Sequence, residues 1–261
     1  MTTGTGIHPT AVIAPDAVIG EGVEIGPYSI VGSGVTIGNG TWIGSHVVIE
    51  GKTDIGQQCK IFHHSYVGGP PQDLKYCGEE TRLTVGNHNI IREYVTLNRG
   101  TVSGGGITAI GNNNLFMAYV HVAHDCHIGN HVVMANAATL AGHVTIEDRA
   151  IIGGLSAIHQ FARIGTCVMI GGCSAVPQDV PPYMNATGNR AQLYGLNTIG
   201  LQRNNFSDET IGSLKKAYKI LFRSKMTLES ALDKVQGELG GTPEVDYLVQ
   251  FIRKSERGIC R

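Results

Sequence analysis

The stretch IGEGVEIGPYSIVGSGVTIGNGTWI, residues 19–43, carries an aliphatic side chain at every sixth position: Ile19, Ile25, Val31, Ile37 and Ile43. The beat begins at Ile7 and Ile13, and after Ile43 it continues through Ile49, Ile55 and Ile61 to Val67. It resumes at Val85, Ile91 and Leu97, then runs without a slip from Ile110 through Val122, Ile128 and Leu140 to Val176. Glycine commonly follows the aliphatic residue, as at Gly20, Gly38 and Gly129. The fifth position is small or β-branched: Val23, Thr41, Cys59, Ala138, Ser174. A period of six matches neither the helical 3.6 nor simple strand alternation. It is the spacing of hexapeptide repeats in a parallel β-helix.

Six extended residues at about 3.3 Å each form one face of roughly 20 Å. Three faces close a triangular coil of eighteen residues, and coils stack about 4.8 Å apart as parallel strands. The aliphatic residue points inward, and the small fifth residue sits beside it near a corner. Glycine at position two is expected where the backbone bends, since it tolerates conformations other residues avoid. Such a solenoid is stabilised by contacts between neighbouring coils. Its handedness does not follow from the period.

Two insertions break the beat, Gly68 to Leu83 (GGPPQDLKYCGEETRL) and Thr101 to Ala109 (TVSGGGITA). Insertions in solenoids become surface loops, often on a binding face. Beyond Pro181-Pro182 the pattern changes. Ser207-Asp208-Glu209 reads as a helix start, with Leu214, Tyr218, Leu221 and Phe222 at helical spacing, and further helices are expected at 227–239 and 243–254. The expected division is a β-helix over 1–186 and a small helical domain over 187–261.

The 261 residues carry a net charge of −1, which excludes a generally basic nucleic-acid binder. The sum hides an asymmetry. Residues 203–261 hold eleven Lys/Arg against eight Asp/Glu, and the remainder nine against thirteen. Lys215, Lys216, Lys219, Arg223 and Lys225 crowd one helical stretch, either a solvated face or a dock for an acidic partner. No run approaches the roughly 18 apolar residues of a membrane span, and MTTGTGIHPT lacks a signal-peptide core. The six cysteines form no CxxC pair, which suggests reduced thiols in a cytoplasmic protein.

With an eighteen-residue coil, His124 stacks under Gly142 and Gln160, and Asp125 under His143 and Phe161. Ala123, Ala141 and His159 form the adjoining column. His124 and His143 hold third and fourth hexad positions and are expected to point outward. Three roles compete for this cluster. One is a metal site built from His121, His124, His127 and His143, since imidazoles are common zinc ligands. Against it, His121 and His127 are expected at corners and His124 in mid-strand. Another is purely structural. The third is general base catalysis, with Asp125 fixing the tautomer and a backbone N–H near Gly142 serving an oxyanion. Cys126 is a poor nucleophile candidate, because its hexad position turns it inward.

The stretches HVAHDCHIGN (121–130), TLAGHVTIED (139–148), IIGGLSAIHQF (151–161), GGCSAVPQDVPPY (171–183), GLNTIGLQRNNFS (195–207) and GGPPQDLKY (68–76) closely resemble the UDP-N-acetylglucosamine 3-O-acyltransferase family of the hexapeptide-repeat acyltransferases. The resemblance runs nearly end to end. It implies an all-β, left-handed parallel β-helix with a small α-helical C-terminal domain, assembled as a homotrimer. It implies transfer of a 3-hydroxyacyl group from acidic acyl carrier protein to the glucosamine 3-hydroxyl of UDP-N-acetylglucosamine, the first step of lipid A assembly, with no metal or other cofactor.

By matched position the resemblance implies His124 as the general base, Asp125 as its support and the Gly142 amide as oxyanion donor. It implies sugar contacts from His143, acceptor contacts from Asp73 and Lys75, and an acyl-pantetheine path along His159 and Gln160. His121 joins the substrate contacts, Asn197 and Arg203 hold the nucleotide, and Gly172 leaves room for a longer acyl chain. Arg190, Ile199, Asn204 and Asn98 depart from the family pattern. The acceptor alternatives are the 3-hydroxyl and a 3-amino sugar forming an amide. Alternatives of other classes are a γ-type zinc hydratase on the same solenoid and a non-catalytic scaffold.

Overall fold

The computed structural model describes residues 6–261. Three parallel sheets form the sides of a triangular prism. The first begins Gly6–Ile7, Glu24–Ile25, Trp42–Ile43; the second Val12–Ile13, Ile30–Val31, Val48–Ile49; the third Val18–Ile19, Val35–Ile37, Lys52–Ile55. Ile7 pairs with Ile25 and Ile25 with Ile43, so a coil takes eighteen residues. The aliphatic residues fill the interior, with Ile25, Val31, Ile37, Ile43 and Ile49 at most 1% exposed.

The sides are built differently from six extended residues. Most strands are two residues long, the sixth position of one hexad and the first of the next. The chain bends at the third and fourth positions, and the fourth adopts the left-handed conformation. Tyr28, His46, Gln58, Asp125 and His143 have φ between 55° and 60° there. Each such non-glycine residue costs about 1–2 kcal/mol. An offsetting bond recurs: the fourth residue's N–H donates to the third residue's carbonyl one coil below, as from His46 to Pro27 (3.0 Å) and His143 to His124 (3.0 Å).

Glycine at position two therefore has another cause. A Cβ on Gly38 would lie 2.6 Å from the carbonyl carbon of Gly56, and one on Gly26 2.7 Å from that of Gly44. It lets consecutive coils approach. The fifth position closes the corner from inside, where the buried Thr41 hydroxyl donates to the Gly56 carbonyl at 2.9 Å.

Both insertions are narrower than their letters suggest. Strands Tyr66–Gly69 and Arg82–Val85 extend into the first, leaving 70–81 irregular. In the second, a 3-10 turn at Val102–Gly104 is followed by strand Ile107–Ile110. The reason is backbone pairing, which tolerates polar side chains: Lys52–Ile55, Arg82–Val85 and Ile107–Ile110 match residue for residue.

After Ala175–Val176 the chain forms a hairpin, Met184–Thr187 against Gln192–Leu196, whose first strand adds in parallel to Met169–Ile170. A boundary at 186/187 falls inside this hairpin, because its strands still complete the first sheet. Helices follow: α1 (Thr198–Arg203), α2 (Asp208–Arg223), α3 (Leu228–Leu239) and α4 (Pro243–Arg253). Ser207 caps α2 by accepting from the Thr210 N–H. Ile211, Leu214, Ala217, Tyr218 and Leu221 are buried at i, i+3, i+4 spacing, and Lys215, Lys216 and Lys219 are exposed. The C-terminal tail returns to the solenoid, where Ile259 pairs with Asp179. No described helix is long and apolar enough to cross a membrane.

Candidate functional site

His124 and Asp125 occupy the corner between strands His121–Val122 and His127–Ile128, where the second sheet turns into the third. The expected placement is thus reversed: His121 and His127 open strands, and His124 sits on the bend. The cause is the register, since pairing uses the sixth and first positions. Asp125, beside His124 on the bend, is only 2% exposed, because the second insertion covers it.

That cover is specific. The Thr101 amide donates to Asp125 Oδ1 at 2.8 Å and its hydroxyl to Oδ2 at 2.6 Å. The Asp125 N–H in turn donates to the Thr108 hydroxyl at 2.8 Å. Gly104 passes so close that a Cβ there would lie 2.1 Å from the carboxyl carbon. His124 Nδ1 lies 2.8 Å from Asp125 Oδ2. Beside a carboxylate this nitrogen carries the proton, which leaves Nε2 with a free lone pair.

The coil above completes the corner. His143 stacks flat on Phe161 (centroids 4.4 Å apart) and meets the His124 ring edge-on at 5.2 Å. Burial holds the His143 pKa below its ordinary value, with the Asp125 charge opposing that shift. Burial also depresses His121, whose Nδ1 lies 2.6 Å from the Thr96 hydroxyl. Gly142 has a steric role: a Cβ would lie 2.5 Å from His124 Cε1 and 2.8 Å from Nε2. At the same hexad position the Ser45 and Asn130 N–H groups donate to side chains of the coil above, His63 and Asp148. Among the described residues the Gly142 N–H has no such acceptor.

A groove of about 810 Å³ runs from this corner along the outer face of the second sheet. His121, His124, Gly142, His159 and Gln160 line it, as do Gln72 and Arg257. Its floor is small-residue strand surface, Thr139, Ala157 and Ala175. Other expected contacts lie apart. Asp73 and Lys75 sit on the 70–81 loop, where the Lys75 N–H donates to Asp73 Oδ1 at 2.9 Å, and Gln72 is the loop residue in the groove. Asn197 and Arg203 line a separate cavity of about 520 Å³ with Met169 and Asn185 of the first sheet. Asn197 also caps α1, accepting from the Gly200 N–H and donating to the Cys167 carbonyl. Gly172 lies at the corner between the first and second sheets, stacked on Gly154.

His124, Asp125 and His143 place three ligand-type atoms within 4.8 Å of one another. Both Asp125 oxygens already accept from Thr101, and Oδ2 also from His124. His127 lines a different cavity with Glu147 and Tyr247. The arrangement suits orientation of an imidazole better than ligation of a cation. Cys126 is fully buried, and burial pushes its thiol pKa up to about 12. Thr101, Gly104 and Thr108 escape sequence reading, their signal being only a Gly-rich insertion before the histidine coil. Arg257 gives none, bonding His159 Nδ1 at 3.2 Å across 98 residues.

Comparison with known proteins finds relatives along nearly the whole chain. Residues 179–260 match the family described as Udp N-acetylglucosamine O-acyltransferase, Domain 2, and residues 108–142 match Bacterial transferase hexapeptide (six repeats). The acyl-[acyl-carrier-protein]–UDP-N-acetylglucosamine O-acyltransferase of Thermodesulfovibrio yellowstonii is 60% identical over 98% of this chain and 99% of its own length. That of Myxococcus xanthus is 54% identical over the same shares. The solved structure of LpxA from Acinetobacter baumannii superposes with a TM-score of 0.95 at 49% identity, covering 98% of this chain and 100% of its own. The fold shared with these structures is the left-handed parallel β-helix.

Proposed function

Because the chain belongs to the UDP-N-acetylglucosamine O-acyltransferase family, we propose that it moves a 3-hydroxyacyl group from acyl carrier protein to the 3-hydroxyl of UDP-N-acetylglucosamine, the opening step of lipid A biosynthesis. The observation that carries the mechanism is the 2.8 Å contact between His124 Nδ1 and Asp125 Oδ2. It leaves Nε2 as a base beside the unpaired Gly142 N–H.

His124 Nε2 accepts the proton of the sugar 3-hydroxyl as that oxygen attacks the thioester carbonyl. The C–O bond forms, and the carbonyl electron pair becomes an oxyanion held by the Gly142 N–H. Collapse breaks the C–S bond, and the departing thiolate takes the proton back from the imidazolium. Asp125 stabilises that imidazolium from its fixed position. General base assistance of this kind contributes typically about 10²–10⁴-fold.

His143 and His121, held toward the neutral form by burial, offer hydrogen bonds to the sugar without adding charge. His159 and Gln160 line the path of the pantetheine arm. Asp73 and Lys75 reach the acceptor, Asn197 and Arg203 hold the nucleotide, and Gly172 borders the acyl chain. Their separation over two faces of one solenoid supports a homotrimer in which neighbouring subunits complete each site. The exposed Lys215, Lys216 and Lys219 of α2 suit an acidic carrier protein. Free thiols at all six cysteines accord with a cytoplasmic enzyme. The division into domains is best drawn between the hairpin and α1.

The test is an acyl-transfer assay with 3-hydroxyacyl carrier proteins of graded length, offering UDP-N-acetylglucosamine and its 3-amino analogue side by side. Ester formation on the former supports the reading; transfer to neither acceptor sinks it. A His124→Ala variant with near-normal turnover would remove the general base role alone.

A further inference from the structure

The 70–81 loop leaves the second sheet at a break in the pairing. Tyr66 and Val67 match Thr96 and Leu97 in turn, and then the register slips so that Gly69 faces Asn98. Backbone pairing therefore stops fixing the chain where it turns out toward the groove. Asn98 and Arg99 take over. Arg99 Nη1 donates to the Gly68 carbonyl at 2.8 Å, the Arg99 N–H to the Gly69 carbonyl at 3.0 Å, and Asn98 Nδ2 to the Pro70 carbonyl at 3.0 Å. Three successive carbonyls at the root of the loop are thus held by two adjacent residues.

Arg99 also reaches the far half of the loop. Its Nη2 donates to the Tyr76 hydroxyl at 3.3 Å, and that hydroxyl donates onward to the Glu79 carbonyl at 2.8 Å. Root and return are tied to one planar side chain, whose fixed fork of donors suits two acceptors at once. Gly51, at a φ of 66°, leaves the space, since any Cβ there would run into the guanidinium. Among the described residues Arg99 joins no ion pair.

What the loop carries makes this more than a fold contact. Between the two ties stand Gln72, which lines the histidine groove, and Asp73, whose charge acts on the His143 ring. Two residues after Arg99, Thr101 holds both Asp125 oxygens. Gly100 between them is pressed against the next strand, where a Cβ would lie 2.6 Å from the Gly106 carbonyl carbon. One tightly packed segment, 98–101, therefore fixes the loop on one side and the carboxylate behind His124 on the other.

We propose that Arg99 is a positioning residue for the acceptor sugar, holding the 70–81 loop so that Gln72 and Asp73 meet the sugar at the His124 corner. The inference rests on the acyl-transfer reading above.

Arg99→Met keeps the length of the side chain and removes its donors. The KM for UDP-N-acetylglucosamine should rise about tenfold, while kcat at saturating acceptor and the KM for the acyl carrier protein stay within about twofold. Arg99→Lys, which can keep one of the two ties, should recover part of the loss. In an Asp73→Ala background the same Arg99→Met change should cost no more than about threefold, because residues acting through one another are not additive. An unchanged acceptor KM, a rise shared equally with the donor, or full additivity with Asp73→Ala overturns the proposal. Trypsin cleavage after Lys75 reads the loop without turnover. It should quicken in Arg99→Met, and an unchanged rate overturns the positioning role. If the wild type transfers no acyl group, the acyl-transfer reading fails. Proteolysis, and calorimetry with UDP-N-acetylglucosamine, where the same weakening is expected, then still decide the role of Arg99.

Discussion

Thr101 holds both oxygens of Asp125, its amide on one at 2.8 Å and its hydroxyl on the other at 2.6 Å, and Asp125 in turn holds His124. A side chain on an inserted loop therefore sets the tautomer of a histidine one coil later. Thr101→Val removes the hydroxyl and leaves a buried carboxylate oxygen short of a donor, destabilising the fold by about 1–3 kcal/mol. The kcat should fall about tenfold, equivalent to about 1.4 kcal/mol of barrier, and Thr101→Ser should restore it. Urea denaturation and steady-state rates measure the two effects. Unchanged kcat in the valine variant rejects the orienting role.

Gly142→Ala tests the corner from the other side. The new methyl would meet the His124 ring at 2.5 Å, so the imidazole must turn away from Asp125. A loss of about a hundredfold in kcat, about 2.7 kcal/mol of barrier, is expected with little change in KM for the donor. Wild-type kcat would show that neither the ring position nor the amide matters.

Acid sensitivity follows from the two half-buried histidines. His121 and His143 have folded pKa values below their ordinary 6.5 because burial disfavours the charged ring. Above 6.5 both states are neutral and nothing is lost. As pH falls from there toward the lowered folded values, the unfolded chain binds protons first, and stability declines. A His121→Gln, His143→Gln variant should therefore lose less stability than the wild type between about pH 7.5 and 5. Parallel shifts of the two urea midpoints would refute this.

Gly172→Met should move preference toward shorter acyl donors. A Cβ at this corner meets only the Gly154 backbone, its carbonyl oxygen at 3.3 Å and its nitrogen at 3.9 Å, so a longer side chain has room to extend over the edge of the second sheet. Competition between donors of graded length reads the shift. Identical selectivity in the variant would detach Gly172 from the acyl chain.

The six-residue beat made the coil and its stacking legible, because inward aliphatic residues must repeat once per side. Which position bends was hidden. The left-handed fourth position is filled by residues as different as Tyr28, His46, Asp125 and Leu155, while the glycines that draw the eye at position two serve coil contact. The column of His124, Gly142 and Gln160 could be counted off directly. The burial of Asp125 could not, because its cover is an insertion outside the repeat. Nor could Arg257, which reaches His159 only because the tail folds back from the helices.

Coil stacking also sets a limit on how this molecule can change. A ligand lying along the second sheet is gripped at heights separated by whole coils, each about 4.8 Å. Substitution can select which rung bears a histidine or an arginine, yet no substitution moves a rung by half a step. Adding or deleting one eighteen-residue unit between Gly142 and Pro177 would alter the distance from His124 to Arg257 by a single quantum. On such a scaffold, the spacing of side chains along a groove is a digital property, and finer adjustment falls to side chains at the corners.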